Sequence, residues 1–274
     1  MIPFLKMHGL GNDFAVFDAR KQGLVLDAAS ARAIADRRRG IGCDQVIVIA
    51  ASDGADAAMR IFNADGGEVE SCGNAARCVA RLLMAELDRD TVRLNTPGGP
   101  LVCCDAGGGL VTVDMGAPVL AWDKVPLSCP ADTSRFMLSV DGASHPVSAV
   151  SMGNPHCVLI VDDAEAAPVA SLGPRIETHP MFPKRTNVEF VSVRDRSHLR
   201  MRVWERGAGI TQACGTGACA AAVAAHRRGL ADAKVEVELD GGVLTIELRD
   251  SHVFMTGPAA LSFRGEIDLA ELTA

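Results

Sequence analysis

Two cysteines occupy matching places in the sequence, each where a glycine-containing loop is predicted to become a helix. Cys72 is followed by Gly73-Asn74, and Cys214 is followed by Gly215-Thr216. The N–H groups and the positive dipole end at such a position favour thiolate over thiol, which lowers a cysteine pKa from its reference of about 8.5. The same N–H groups can hold a carboxylate. Each cysteine is therefore predicted to be a basic sulfur beside an anion site.

A thiolate and a thiol on opposite sides of one carbon could invert its configuration. The thiolate would remove a proton from one face, and the thiol would return a proton to the other face of the planar intermediate. The usual alternative is a pyridoxal cofactor bound to a lysine. The lysines lie outside any motif: Lys6, Lys21, Lys124, Lys184 and Lys234. The sequence therefore favours a route without cofactor, in which backbone dipoles in a dry site stabilise the carbanion.

The remaining cysteines are interpreted as small buried hydrophobic residues. They are Cys43, Cys78, Cys103, Cys104, Cys129, Cys157 and Cys219. An odd total in a reducing compartment indicates free thiols rather than a disulfide framework. A zinc site is disfavoured because the chain has no C-x-x-C pair and the cysteine gaps are wrong for one; no metal is expected.

Two ionisable side chains lie where they could act on the cysteines. His156 follows a Gly-Asn-Pro turn, and Glu205 ends a predicted strand nine residues before Cys214. An ordinary core histidine and a surface ion pair between Glu205 and Arg206 are the alternatives. Their positions favour groups that tune the sulfur pKa values or hold the polar ends of a substrate.

Several uncharged amide side chains fall at turns or strand ends: Asn12, Gln45, Asn63, Asn154 and Asn187. Turn formation is a sufficient reason for asparagine at such places. Amides combined with one arginine and one glutamate also suit a zwitterionic ligand, whose carboxylate needs donors and whose ammonium needs acceptors.

The second half of the chain repeats the first half at a constant offset of 142 residues. Coincidence, helped by the abundant alanine and glycine, is the alternative. The matches nevertheless fall at turn-forming and cysteine positions, which predicts two homologous lobes that face each other. The pairs are Gly11-Asn12 with Gly153-Asn154, Ile34 with Ile176, Gln45-Val46 with Asn187-Val188, Met59-Arg60 with Met201-Arg202, Gly67 with Gly209, and Cys72-Gly73 with Cys214-Gly215.

Local patterns predict that each lobe mixes strands and helices. Runs rich in β-branched and aromatic residues predict strands at Val46–Ile49, Met59–Phe62, Val188–Val191 and Arg202–Trp204. Asp27 is predicted to cap a helix that continues through Arg38 and stops at Gly40; Asn95–Gly99 and Leu239–Gly242 are predicted hairpin turns.

A helix with one buried face is predicted after Cys72, with apolar residues at helical spacing from Ala76 to Leu87. The run after Cys214 is small and apolar nearly all round, which suits a central helix wrapped by a sheet.

Composition excludes several classes of function. The chain has 274 residues, 48% hydrophobic, which is enough to bury one large core or two smaller ones. A net charge of -7 without a basic face, and no tyrosine for base stacking, disfavour nucleic acid as a partner. Apolar runs fall short of the roughly 18 residues of a membrane span. With no leader-like pattern at Met1–His8, we expect a cytoplasmic protein that does not bind membranes.

Together these residues resemble the diaminopimelate epimerase family. The resemblance covers nearly the whole chain and departs from the family at no functional position. It is carried by ordered blocks at Met7–Phe14, Gly42–Gln45, Asn63–Gly66, Cys72–Arg77, Gly153–His156, and Glu205–Gly209 running into Ala213–Gly217.

The resemblance implies that Cys72 and Cys214 interconvert LL- and meso-2,6-diaminopimelate without cofactor or metal, for lysine and cell-wall synthesis. His156 and Glu205 would adjust the ionisation of the two sulfurs. Contacts mostly to the distal amino-carboxylate end are implied for Asn12, Gln45, Asn63, Asn154, Asn187, Glu205 and Arg206. The amides of Gly73-Asn74 and Gly215-Thr216 would cradle the reacting carboxylate.

The implied fold is α/β (α+β), with two pseudo-symmetric lobes, each a curled, mostly antiparallel sheet around a central helix. We expect lobes at 1–116 and 117–260, with 261–274 returning to the first. A homodimer is an expectation from the family. A proline- or hydroxyproline-type racemase of the same fold, and a thiol redox or ligand-binding protein, remain as alternatives.

Overall fold

The computed structural model describes residues 1–21, 24–70 and 72–273. The chain divides into two compact units, unit 1 (Met1–Val113 with Thr256–Ala274) and unit 2 (Asp114–Met255). Ala274, the end of the expected returning segment, lies outside the described residues. Within the described ranges, no helix is both long and apolar enough to cross a membrane.

Both units contain strands and helices. In chain order they are β1 (Ile2–Gly9), β2 (Asn12–Asp18), α1 (Ala28–Ala35), β3 (Gln45–Ala50), β4 (Ala57–Asn63), β5 (Glu68–Val69), α2 (Gly73–Leu87), β6 (Thr91–Thr96), β7 (Gly99–Gly107), β8 (Leu110–Asp114), β9 (Phe136–Val140), β10 (Ala143–Ser151), β11 (Pro155–Ile160), α3 (Val169–Glu177), β12 (Asn187–Asp195), β13 (His198–Glu205), β14 (Gly209–Ile210), α4 (Gly215–Arg227), β15 (Lys234–Leu239), β16 (Gly242–Arg249), β17 (His252–Pro258), β18 (Ala260–Ile267) and α5 (Leu269–Thr273).

Unit 1 is a mostly antiparallel sheet packed on α2. β1 pairs antiparallel with β2 and with β18, β2 runs parallel to β3, and β3 pairs antiparallel with β4. α2 packs against β1, β6 and β7 through the face predicted from its apolar spacing. Ala76, Val79, Ala80 and Leu83 on that face are fully buried. This packing holds the first turn of α2, which follows Cys72, against the sheet of unit 1.

Unit 2 surrounds its helix more completely. β10, β11, β12, β13, β15 and β16 all contact α4, and every residue from Gly215 to Ala225 is buried. The run of small residues permits this close approach on all sides, as its composition predicts. The result is a central helix whose N-terminal end, at Cys214, lies inside the unit.

The internal repeat extends to strand register. Phe14 pairs with Gln45 between β2 and β3, and His156 pairs with Asn187 between β11 and β12, which is the same parallel pairing shifted by 142 residues. The helices α2 and α4 begin at positions related by the same shift. Equivalent positions in the two units can therefore be compared residue by residue.

The predicted strands and hairpin turns are confirmed, but one predicted helix is too long. Asp27 caps α1 by accepting the N–H of Ser30 at 2.8 Å, as expected. The helix does not continue through Arg38. It ends at Ala35, because Asp36 leaves helical geometry and its carboxylate accepts the N–H of Arg38 at 2.8 Å in a turn of its own.

Candidate active site

In unit 1, Cys72 is the residue immediately before α2 and is half-buried. Its Sγ lies 3.9 Å from Oδ1 of Asn12, at the start of β2. The same oxygen accepts a 3.1 Å hydrogen bond from Nδ2 of Asn74, in the first turn of α2. The structure therefore brings together three of the site residues predicted from the sequence.

A buried arginine supports the cluster formed by Cys72, Asn12 and Asn74. Arg77 is fully buried, and its guanidinium donates to Oδ1 of Asn74 at 2.9 Å and to the carbonyl of Pro258 at 3.1 Å. A Cβ on Gly9 would lie 2.9 Å from its Nη2, so any larger residue at this position of β1 would displace the guanidinium. Arg77 thereby fixes the Asn74 amide that contacts Asn12.

The other end of Asn12 joins an ion-pair network. Its Nδ2 donates to Oδ2 of Asp44 at 3.0 Å, and Arg37 bridges Asp44 and Asp13 at 2.7 Å each. Burial acts to raise the pKa of Asp13, but hydrogen bonds from Arg37 and Lys6 outweigh it and lower that pKa to about 2. Asn12 is thus held from both ends of its amide.

Gln45 and Asn63 lie side by side on β3 and β4. Nε2 of Gln45 donates to Oδ1 of Asn63 at 2.9 Å, while Oε1 of Gln45 is buried and has no hydrogen-bond partner among the described residues. A buried acceptor without a donor is costly. The unpaired Oε1 of Gln45 could therefore accept a hydrogen bond from the ammonium group of a ligand.

In unit 2, Cys214 precedes α4 and is almost fully buried, with 4% of its surface exposed. Its Sγ lies 3.6 Å from Oγ1 of Thr216, which accepts a 3.4 Å hydrogen bond from Nδ2 of Asn154. Asn154 and Thr216 are the repeat equivalents of Asn12 and Asn74. The two units therefore place a hydrogen-bonded pair of polar side chains at equivalent positions beside their cysteine.

The predicted lowering of the sulfur pKa is wrong for Cys214. Burial raises the pKa of Cys214 well above its usual value, and the carboxylates of Glu205 and Glu189 raise it further, outweighing the Thr216 hydroxyl and the Gly217 N–H. Burial also raises the pKa of Glu205, against hydrogen bonds from Thr211 and from the Cys214 thiol. Burial and the two neighbouring carboxylates therefore favour the thiol form of Cys214 over the thiolate.

His156 is fully buried with both ring nitrogens engaged, as in the core-histidine alternative. Its Nδ1 lies 2.7 Å from Oε1 of Glu189 on β12, and its Nε2 lies 2.9 Å from Oδ1 of Asn154. Sequence reasoning missed Glu189. The available signal was one acidic residue inside the apolar run Val188–Val191.

Asn187 and Arg206 form a local scaffold. The Asn187 amide donates to the carbonyl of Pro155 at 2.9 Å and accepts the backbone N–H of Arg206 at 2.9 Å. The half-buried guanidinium of Arg206 donates to the carbonyl of Lys184 at 3.3 Å. Asn187 is thus engaged within the protein on both sides of its amide, while Arg206 retains donors for a ligand.

Solved structures with this fold include a probable proline racemase and a hydroxyproline epimerase. A probable proline racemase from Agrobacterium radiobacter K84 superposes with a TM-score of 0.73 at 16% identity, covering 98% of this chain and 93% of that chain. A hydroxyproline epimerase from Agrobacterium vitis gives a TM-score of 0.70 at 17% identity, covering 96% and 91%. At this identity the likeness shows the fold class alone.

Sequence comparison is more specific. The family model for diaminopimelate epimerase matches residues 4–121 and 148–262. The diaminopimelate epimerases of Acidiphilium cryptum (strain JF-5) and Phenylobacterium zucineum (strain HLK1) are 52% and 54% identical over 271 and 269 residues, covering 98% and 97% of both chains. The chain belongs to the diaminopimelate epimerase family, whose members are isomerases.

Proposed function

We propose that the protein interconverts LL- and meso-2,6-diaminopimelate by a two-base mechanism in which Cys72 and Cys214 act as the acid and base. The observation that carries the proposal is local to each unit. Each cysteine precedes the central helix and lies next to a hydrogen-bonded polar pair, Asn12 with Asn74 or Asn154 with Thr216. The substrate is inferred from membership of the diaminopimelate epimerase family.

In this reaction the Cα–H bond breaks as one sulfur takes the proton, and the electron pair delocalises toward the α-carboxylate. The other sulfur then gives its proton to the opposite face. The carboxylate would bind the N–H groups of Gly73-Asn74 and Gly215-Thr216. The helix ends favour this, because α2 and α4 begin directly after the two cysteines, and a helix N-terminus presents N–H groups and a positive dipole end to an anion.

The distal amino-carboxylate end would be recognised by polar residues that the family resemblance implies. They are Asn12, Gln45, Asn63, Asn154, Asn187, Glu205 and Arg206. The buried Oε1 of Gln45 is a suitable acceptor for the distal ammonium. His156 and Glu205 would adjust the ionisation of the sulfurs, and Glu205 supports this role by accepting a hydrogen bond from the Cys214 thiol.

The proposal extends to the setting of the enzyme. The two units would be the homologous lobes, the product would enter lysine and cell-wall synthesis, and no cofactor or metal would be required. A cytoplasmic homodimer is part of the proposal. Free thiols at Cys43, Cys78, Cys104, Cys129 and Cys157 suit a reducing compartment. Light scattering of the purified protein tests the dimer.

The reaction is tested by proton NMR of LL-diaminopimelate with the reduced protein in heavy water. We expect deuterium at the α-carbon together with the meso isomer. Cys72→Ala and Cys214→Ala should each abolish epimerisation while retaining elimination from a β-halogenated analogue, which needs one base. The exposed Cys129→Ala is the matched control. Epimerisation at the parent rate by either active-site variant would refute the two-base assignment.

A further inference from the structure

A buried acid in unit 2 has no part in the mechanism described so far. Glu189 on β12 is fully buried, with Oε1 2.7 Å from Nδ1 of His156. Its Oε2 is also buried and has no hydrogen-bond partner among the described residues. Burying such a group is costly even when one oxygen is paired. Its presence therefore calls for a compensating role.

The sheet itself does not require this pair. The positions equivalent to His156 and Glu189 in unit 1 are Phe14 and Ile47, both fully buried. They occupy the same parallel register, since Phe14 pairs with Gln45 as His156 pairs with Asn187. Apolar side chains thus fill these positions where the chain has no need of a polar pair.

The pair is connected to the start of α4. His156 Nε2 faces Oδ1 of Asn154 at 2.9 Å, Asn154 donates to Oγ1 of Thr216 at 3.4 Å, and that oxygen lies 3.6 Å from Sγ of Cys214. Glu189 also lies next to the first turn of α4. A Cβ built on Gly217 would lie 2.9 Å from Oε1 of Glu189 and 3.2 Å from Sγ of Cys214, so both groups flank this glycine.

We propose that Glu189 is a positioning residue for epimerisation, which orients His156 and, through Asn154 and Thr216, the sulfur of Cys214. The carboxylate fixes which His156 nitrogen meets the Asn154 amide, and it places negative charge against the first turn of α4. The inference rests on the proposed function.

The charges around Cys214 agree with this assignment. The groups that face it are Glu205 on β13 and Glu189 on β12, with His156 and the thiol of Cys157 on β11 next to Glu189. Burial and then the two carboxylates raise the pKa of Cys214. Removing the charge at Glu189 alone should therefore lower the pKa of Cys214.

Two substitutions of Glu189 distinguish the effect of its charge from the effect of its contact with His156. Glu189→Gln keeps an acceptor for His156 and removes the charge, whereas Glu189→Ile installs the unit 1 side chain and removes both. Ser148→Ala is the matched control, because fully buried Ser148 donates a 2.7 Å hydrogen bond to the carbonyl of Ser134 outside the site. Each variant is characterised by thermal unfolding, by kcat and KM against pH, and by the pH dependence of iodoacetamide labelling at Cys214, resolved by peptide mass spectrometry.

We expect Glu189→Ile to lose kcat on the order of 100-fold, as for a misplaced catalytic group. Glu189→Gln should lose less and should move the labelling midpoint of Cys214 to lower pH, with a smaller effect at Cys72 in the same sample. Ser148→Ala should lose stability and leave both pH profiles unchanged. If Glu189→Ile does not fold, His156→Phe/Glu189→Ile should restore the fold without the rate.

Glu189→Gln with the parent pH profile and the parent Cys214 midpoint overturns the proposal, as does folded Glu189→Ile with the parent kcat. Failure of the proposed function is distinguishable from these outcomes. In that case the parent protein shows no exchange with diaminopimelate, while the labelling shift at Cys214 still tests whether Glu189 acts on that sulfur.

Discussion

Nδ2 of Asn74 donates a 3.1 Å hydrogen bond to Oδ1 of Asn12, which joins the first turn of α2 to the start of β2. Thr216 and Asn154 form the equivalent contact at 3.4 Å in unit 2. In each unit the contact fixes the backbone that follows the cysteine. The buried side chains that hold this contact differ between the two units: Arg77 in unit 1 and the His156–Glu189 pair in unit 2.

A substitution at Asn12 tests how much the hydrogen bond from its amide to Asp44 stabilises the fold. Asn12→Asp would replace the donor that faces Oδ2 of Asp44 at 3.0 Å with a second carboxylate oxygen. We expect a loss of about 1 kcal/mol in the free energy of unfolding, measured with urea at pH 7. In an Asp44→Asn background the same change should cost less, because the new carboxylate no longer faces a second one; Asp44→Asn is costly by itself, since Asp44 also accepts the N–H of Asp13 at 3.1 Å and Arg37 at 2.7 Å. An equal cost of Asn12→Asp in both backgrounds would contradict this account.

Asp13 predicts an acid-sensitive contribution to stability. Its pKa is about 2 in the folded protein against 3.8 as the ordinary value, despite burial, because Arg37 and Lys6 hydrogen-bond the carboxylate. A lowered pKa stabilises the fold above pH 4, by about 2 kcal/mol, and this contribution disappears as the pH falls from about 4 to about 2. Urea unfolding at pH 5 and pH 3 should show a smaller stability difference between parent and Asp13→Asn at the lower pH. An equal difference at both pH values would refute it.

Gly217 is predicted to be intolerant of alanine although it lies in a helix. Alanine normally gains about 1 kcal/mol over glycine there, and Ala75 occupies the equivalent position in α2. In α4 the added Cβ would lie 2.9 Å from the Glu189 carboxylate and 3.2 Å from the Cys214 sulfur. Gly217→Ala should therefore lower both thermal stability and kcat. In a Glu189→Ala background the same change should cost less stability, because only the 3.2 Å approach to the Cys214 sulfur remains; an equal cost in both backgrounds would show that the carboxylate is not the cause.

The cysteines outside the two sites should differ sharply in reactivity. Cys129 is exposed, whereas burial raises the pKa of Cys43 to about 11 and that of Cys78 to about 12. At pH 8, iodoacetamide should label Cys129 rapidly in the native protein and should reach Cys43 and Cys78 only after urea unfolding. Cys129→Ser should remove the rapid phase. Rapid native labelling of Cys43 would show that the packing around it opens.

Local sequence patterns predicted most of the elements. Runs rich in β-branched and aromatic residues identified β3, β4, β12 and β13, and helical spacing identified the buried face of α2. The error at the end of α1 has a local cause, since the Asp36 carboxylate competes for backbone N–H groups that the helical pattern assigned to a further turn. The missed residue, Glu189, has a different cause. Its partner His156 lies 33 residues away and meets it only when β11 and β12 pair in parallel.

By itself, the sequence determined the offset of 142 residues, the two cysteines at the helix starts and the amides beside them. These are properties of residue type and spacing, which a repeat preserves. The tertiary structure decided that Cys214 is buried with a raised pKa and that Glu189 lies next to the first turn of α4. Burial and the proximity of two carboxylates outweigh a helix N-terminus, and both arise only when distant strands enclose α4.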